Sequence, residues 1–132
     1  MYPNPYGANA YKQASQNVSA LKAVVMLYDG MIRLVGEAKR ADAEGRFEDR
    51  FKLTEKASRV LIGLQGQLDY DNGGELSPRL NSFYDMLFMR MMQINSRNAQ
   101  VVADDVLASL KEMRSAWEQV RQEVDSQPAA TK

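Results

Sequence analysis

Between Ser19 and about Glu44 the apolar residues return at helical spacing. Leu21, Val24, Val25, Tyr28, Ile32 and Val35 share one face, and Leu27, Met31, Leu34 and Ala38 form a row beside it. Lys22, Asp29, Arg33 and Arg40 fall opposite. At roughly 100° per residue the apolar arc covers about half the circumference, wider than the stripe of an ordinary surface helix. Ser19 has the chemistry of an N-cap, and Gly45 stands where a left-handed residue closes a helix. The spacing predicts a second helix from Phe47 to about Leu68. Leu53, Ala57, Val60, Leu61, Leu64 and Leu68 align on it, with Phe51 and Ile62 on another side. Gly63 and Gly66 lie away from that face and read as drift rather than as sites of close backbone approach, weakening the helix by about 1 kcal/mol each relative to Ala.

The stretch DYDNGGELSP, Asp69 to Pro78, breaks the periodicity. Asn72, Gly73 and Gly74 supply turn residues, while Ser77 followed by Pro78 reads as an N-cap and first helical position. A third helix then runs to about Ser96, and Asn95, Ser96 and Asn98 mark the next turn. On a fourth helix, to about Val124, the residues Val102, Val106, Leu110, Met113, Trp117, Val120 and Val124 align. Four amphipathic helices, short connections and no strand signal predict an all-α, antiparallel four-helix bundle. No helix sustains heptads, which argues against a simple coiled coil. The expected organisation is an extended N-terminal segment over residues 1–16 docked on the bundle, the bundle itself over 17–124, and a polar disordered tail over 125–132.

The third helix carries more apolar surface than one stripe needs. Leu80, Phe83, Tyr84, Leu87, Met91 and Ile94 already complete a core face, yet Met86, Phe88, Met89 and Met92 point elsewhere. Half of the protein's 8 methionines fall between Met86 and Met92. Two readings stand side by side: a central helix touching several neighbours, or a helix that lines a groove for another polypeptide. Methionine suits the second because its unbranched thioether adapts to varied shapes.

The chain opens MYPNPYGANAYKQAS, with three of its 6 tyrosines at Tyr2, Tyr6 and Tyr11. Pro3, Pro5 and Gly7 deny this segment a helix or an inner strand. A polar leader has no need of such rings, whereas a segment that docks on an apolar groove does. Burying about 100 Å² on each ring gains around 7 kcal/mol in all, and ordering about ten residues costs about 10 kcal/mol. The near-balance describes a displaceable lid, with Tyr6 and Tyr11 as its anchors.

Composition narrows the chemistry. The 17 basic and 17 acidic residues cancel, which argues against nucleic acid or an anionic membrane as partner. With 0 Cys and 0 His there are no disulfides, thiolate or imidazole metal sites, cysteine nucleophiles or Ser-His-Asp triads. Glu48-Asp49 and Asp104-Asp105 are adjacent pairs, which do not face each other on a helix and read as solvated. No catalytic residue, metal or cofactor is expected. The absence of a secretory start and of any apolar run near twenty residues predicts a cytoplasmic protein without membrane insertion. Trp117 reads as a core anchor. Tyr28 and Asp29 read either as core and solvated residues or as a hold on the leader or a client; Tyr84 and Asp85 invite the same split, with Tyr84 in the core stripe.

Several blocks resemble the flagellin-specific export chaperones of the bacterial flagellum, the FliS family. They are NAYKQ (Asn9 to Gln13), MLYDGMIRL (Met26 to Leu34), LDYDNGGEL (Leu68 to Leu76), FYDMLFMRM (Phe83 to Met91) and LKEMRSAWEQV (Leu110 to Val120). In order and spacing they cover nearly the whole chain. The resemblance implies a cytoplasmic helical bundle that binds the disordered C-terminal region of newly made flagellin, prevents premature polymerisation and aids delivery to the flagellar type III export gate. It also implies that the N-terminal segment covers part of the flagellin-binding surface. The groove is expected to be lined by Leu27, Met31, Met86, Met89 and Met92. The competing expectation is a self-associating helical adaptor without a flagellin client.

Overall fold

The structure, a computed structural model, describes residues 18–126, with side chains from residue 20. Tyr6 and Tyr11, and with them the expected lid, lie outside the described residues, as does most of the expected tail. Four helices follow in order: α1 Val18–Ala43, α2 Phe47–Gly66, α3 Leu76–Gln93 and α4 Ala99–Asp125. The described residues hold no strand. The expected all-α four-helix architecture is therefore present.

Cross-helix polar pairs fix the directions. Asp29 meets Arg114 and Lys39 meets Asp104, so the numbering rises along α1 as it falls along α4. Gln65 meets Asn81 while Thr54 meets Asn95, which makes α2 and α3 antiparallel in the same way. α1 packs chiefly against α2 and α4, as does α3. The helices α1 and α3 thus occupy opposite corners and meet only across the centre. Leu21, Met31 and Val35 of α1, Leu61 of α2, Leu87 and Met91 of α3, and Val106 and Leu110 of α4 fill that centre with almost no exposure.

The turns follow local chemistry. Gly45 takes φ +74°, Arg46 N–H donates to the Ala41 carbonyl at 2.8 Å and Gly45 N–H to that of Asp42 at 3.1 Å, a Schellman closure of α1. The expected left-handed stop is there. Ser19, by contrast, lies inside the first turn of a helix that already includes Val18. Ser77 is not a cap either: α3 begins at Leu76, and the Ser77 hydroxyl donates to the Asp69 carbonyl at 2.8 Å, pulling the 67–75 connection onto the helix. Gly73 sits under this link, where an added Cβ would stand 1.9 Å from Ser77 Oγ. A Cβ added at Gly63 or Gly66 would meet nothing within 4 Å beyond the helix's own backbone, as drift requires.

Candidate binding surface

Met31 has no exposed surface. Its position between Tyr28 and Val35 on the inner face of α1 makes it a core side chain, not the groove residue expected from the sequence. Met92 is half-buried and packs against the core, as does Phe88. The remaining expected positions do face outward: Leu27 is 42 % exposed, Met86 45 % and Met89 61 %. Both readings of α3 therefore hold for different residues. Its Leu80–Tyr84–Leu87–Met91 face is core, while two of its thioethers, Met86 and Met89, remain exposed.

Other outward apolar residues were less legible. Met26 precedes Leu27 and is 69 % exposed; on α2, Phe51 and Ile62 are exposed about three turns apart and so share one outer line. Their falling off the main stripe of α2 was the sequence signal. Since Met26 and Leu27 belong to α1 while Met86 and Met89 belong to α3, these residues do not line a single trough between two adjacent helices. The apolar surface is spread around the bundle.

Buried and cross-helix hydrogen bonds tie together the frame beneath this surface. Tyr28 and Tyr84 share a hydrogen bond of 2.7 Å between hydroxyls, with neither residue exposed. Burial pushes the Tyr28 phenol well above its ordinary pKa; the neighbouring Tyr84 adds to this, and the Trp117 indole opposes it. These tyrosines are core residues, whereas Asp29 joins α1 to α4 through Arg114 at 2.9 Å and Asp85 joins α3 to α2 through Gln65 at 2.7 Å. Trp117 is buried, as expected. The adjacent carboxylates are exposed, but Asp104 is paired with Lys39 and Asp105 with Arg90.

One polar network had no signature in the sequence. At the end of the bundle that holds the α1–α2 turn, Arg50 Nη1 donates to Asp42 at 2.7 Å and Arg50 Nε to the Asn95 side chain at 3.2 Å. Asn95 in turn donates to Thr54 at 3.0 Å, and Gln100 donates to Asp42 at 2.8 Å. Residues from all four helices or their flanking turns are tied together there. The Gln100 amide, then the Arg50 guanidinium, hold the Asp42 carboxyl below its ordinary range against the opposing effect of burial.

Among the described residues no three His, Cys, Asp or Glu side chains come together as a metal site. None of the described helices is long and apolar enough to cross a membrane. An antiparallel bundle with a sealed centre and uncovered thioethers on its outside has the build of a polypeptide-binding module. The family model of the flagellar protein FliS matches residues 2–124, and the chain belongs to that family. It is 30 % identical to the flagellar secretion chaperone FliS of Vibrio cholerae over 92 % of this chain and 93 % of that protein. The corresponding chaperone of Campylobacter jejuni is 29 % identical over 89 % of this chain and 92 % of its own length. That of Bacillus subtilis is 28 % identical over 90 % and 87 %.

Proposed function

We propose that this chain is a cytoplasmic export chaperone whose client is flagellin. It binds the disordered C-terminal region of flagellin, keeps it from polymerising prematurely and presents it to the flagellar type III export gate. The observation that carries this reading is the pair Met86 and Met89, exposed on a helix whose opposite face is already committed to the core. Membership of a family of flagellar secretion chaperones supports a client destined for export. Binding, not catalysis, is the activity.

The mechanism is capture of amphipathic client segments on apolar helix faces, with further chain laid along the bundle. Ordering a disordered client offsets much of the apolar gain, so affinity comes from a large wrapped surface. Exposed side chains on opposite corners, Leu27 on α1 and the two thioethers on α3, suit a partner that wraps. Tyr6 and Tyr11 serve as the lid that the client displaces.

Titration calorimetry with a flagellin C-terminal peptide tests the proposal, using the full chain and a variant lacking Met1 to Gln13. Saturable binding is expected in both, tighter or with altered enthalpy in the truncated chain. Lack of binding in both, with concentration-dependent dimers that the peptide leaves intact, would establish the self-associating adaptor instead.

A further inference from the structure

A cleft of about 380 Å³ opens between the C-terminal half of α1 and the N-terminal half of α2. Arg40 lines it from α1, Arg46 from the turn, and Lys52, Leu53 and Lys56 from α2; Glu37 and Asp49 are its carboxylates. Lys52 and the adjacent Leu53 each lie three or four residues from both Asp49 and Lys56, so the four share one side of α2. The Schellman closure at Gly45 precedes Arg46, which joins the lining from the turn. Four cations thus face two carboxylates in a chain whose overall charge is zero.

Pairing within the protein leaves two of the four cations unmatched. Arg46 bonds Asp49 at 2.8 Å and Glu44 at 2.8 Å, and Lys52 approaches Glu48 at 3.5 Å. Glu37 is engaged by Arg33 at 3.3 Å. Arg40 and Lys56, both exposed, have no carboxylate partner among the described residues. Leu53, half-buried, adds an apolar side chain to the same lining.

The segments outside the described residues offer no acidic side chain to match these cations. Residues 1–17 and 127–132 contain no Asp or Glu. A single phosphate calls for donors converging on one point, whereas these cations are strung along two helices. A nucleic-acid strand calls for an uninterrupted basic stripe, and Glu37 and Asp49 interrupt this one.

We propose that the α1–α2 cleft docks a short acidic peptide segment of a partner protein. The segment places carboxylates on Arg40 and Lys56 and an apolar side chain against Leu53. This site is separate from the exposed thioethers, since α3 contributes no residue to it, and it stands whether or not flagellin is the client.

The test uses the full chain and a fluorescently labelled heptapeptide of Glu and Asp with one central Leu, followed by anisotropy. Arg40→Glu combined with Lys56→Glu weakens binding about tenfold, and Arg40→Gln with Lys56→Gln about threefold. Raising salt from about 50 to about 300 mM weakens it severalfold, because the contacts are exposed to screening. Arg79→Glu, which alters an exposed cation on α3, leaves it unchanged. Both double variants alter surface side chains only, and circular dichroism confirms their fold. Undetectable binding to the unaltered chain at millimolar peptide overturns the proposal, as does equal binding to the folded double variants. Displacement by inorganic phosphate as efficiently as by unlabelled peptide, at matched ionic strength, also overturns it, leaving general anion attraction only.

Discussion

The hydroxyl oxygens of Tyr28 and Tyr84 lie 2.7 Å apart at the centre of the bundle, joining the two helices that occupy opposite corners. No solvent reaches either residue, so each hydroxyl depends on protein partners. Removing one hydroxyl breaks a hydrogen bond in a dry site, at a cost of about 0.5–1.5 kcal/mol. Tyr28→Phe and Tyr84→Phe are each expected to lower stability by about that much in urea denaturation. The double variant should lose less than the sum of the two, since it removes both halves of one interaction.

The Arg50–Asp42 pair is mostly shielded, with side-chain exposures of only 14 % and 16 %. It therefore behaves unlike the exposed pairs, whose typical contribution is about 0–1 kcal/mol. Arg50→Met should destabilise the protein by about 2 kcal/mol, because it leaves the Asp42 charge with Gln100 alone and also releases Asn95. Arg33→Met, which breaks an exposed pair with Glu37, should stay within about 0.5 kcal/mol of the parent. Parallel thermal melts distinguish the two.

Acid sensitivity has a stated origin at the C-terminal end of α4. Hydrogen bonds from Arg121, then Gln122, hold the Glu118 carboxyl at about 2, below its ordinary 4.5. A carboxylate depressed in the folded state favours folding above its unfolded pKa and loses that contribution as pH falls through the folded value. Stability should therefore decline from about pH 4.5 towards about pH 2, with Asp42 contributing in the same direction. Glu118→Gln should flatten this part of the curve while leaving its shape near neutrality unchanged, as measured by chemical denaturation at a series of pH values.

Two glycines should respond to alanine with opposite signs. Gly73→Ala drives a methyl group into Ser77 Oγ and to 2.8 Å from the Asp69 carbonyl oxygen, breaking the tie between the 67–75 connection and α3. A loss of about 2 kcal/mol or more is expected. Gly63→Ala enters open space in the interior of α2 and should stabilise by about 0.5–1 kcal/mol. Urea midpoints decide both.

The exposed thioethers should matter to a client and not to the fold. Met86→Lys and Met89→Lys place charge where solvent already reaches, so melting should shift little. Affinity for a flagellin C-terminal peptide should fall about tenfold or more in the double variant, read by calorimetry. Met31→Lys provides the contrast: its side chain is sealed in the core, and the substitution should unfold the protein.

Much of this architecture could be read from residue order because it rests on local rules. Helical periodicity marked α1 to α4, Gly45 announced its own left-handed turn, and Trp117 fell on the inner stripe of α4. Ser77 misled because a hydroxyl before a proline resembles a cap, while the partner it uses, Asp69, reaches it only when the connection folds back. Met31 misled for a related reason. Periodicity says which helix face a residue occupies, but how far neighbouring helices extend over that face is settled by packing. The Arg50, Asp42, Asn95 and Gln100 network was invisible because its members lie up to 58 positions apart. Met86 and Met89 were found as surplus and Leu27 in the row beside the main stripe of α1, yet their distribution over opposite corners needed the packing order of the helices.

That distribution has a kinetic corollary. A ligand strand reaching from the α1 corner to the α3 corner travels round the outside of the molecule, so it can let go at one corner while the other still grips. Its departure is a peeling in stages, each with a modest barrier, and a pull on one free end suffices to start it. Tight holding and prompt hand-over cease to be opposites when the grip is divided in this way.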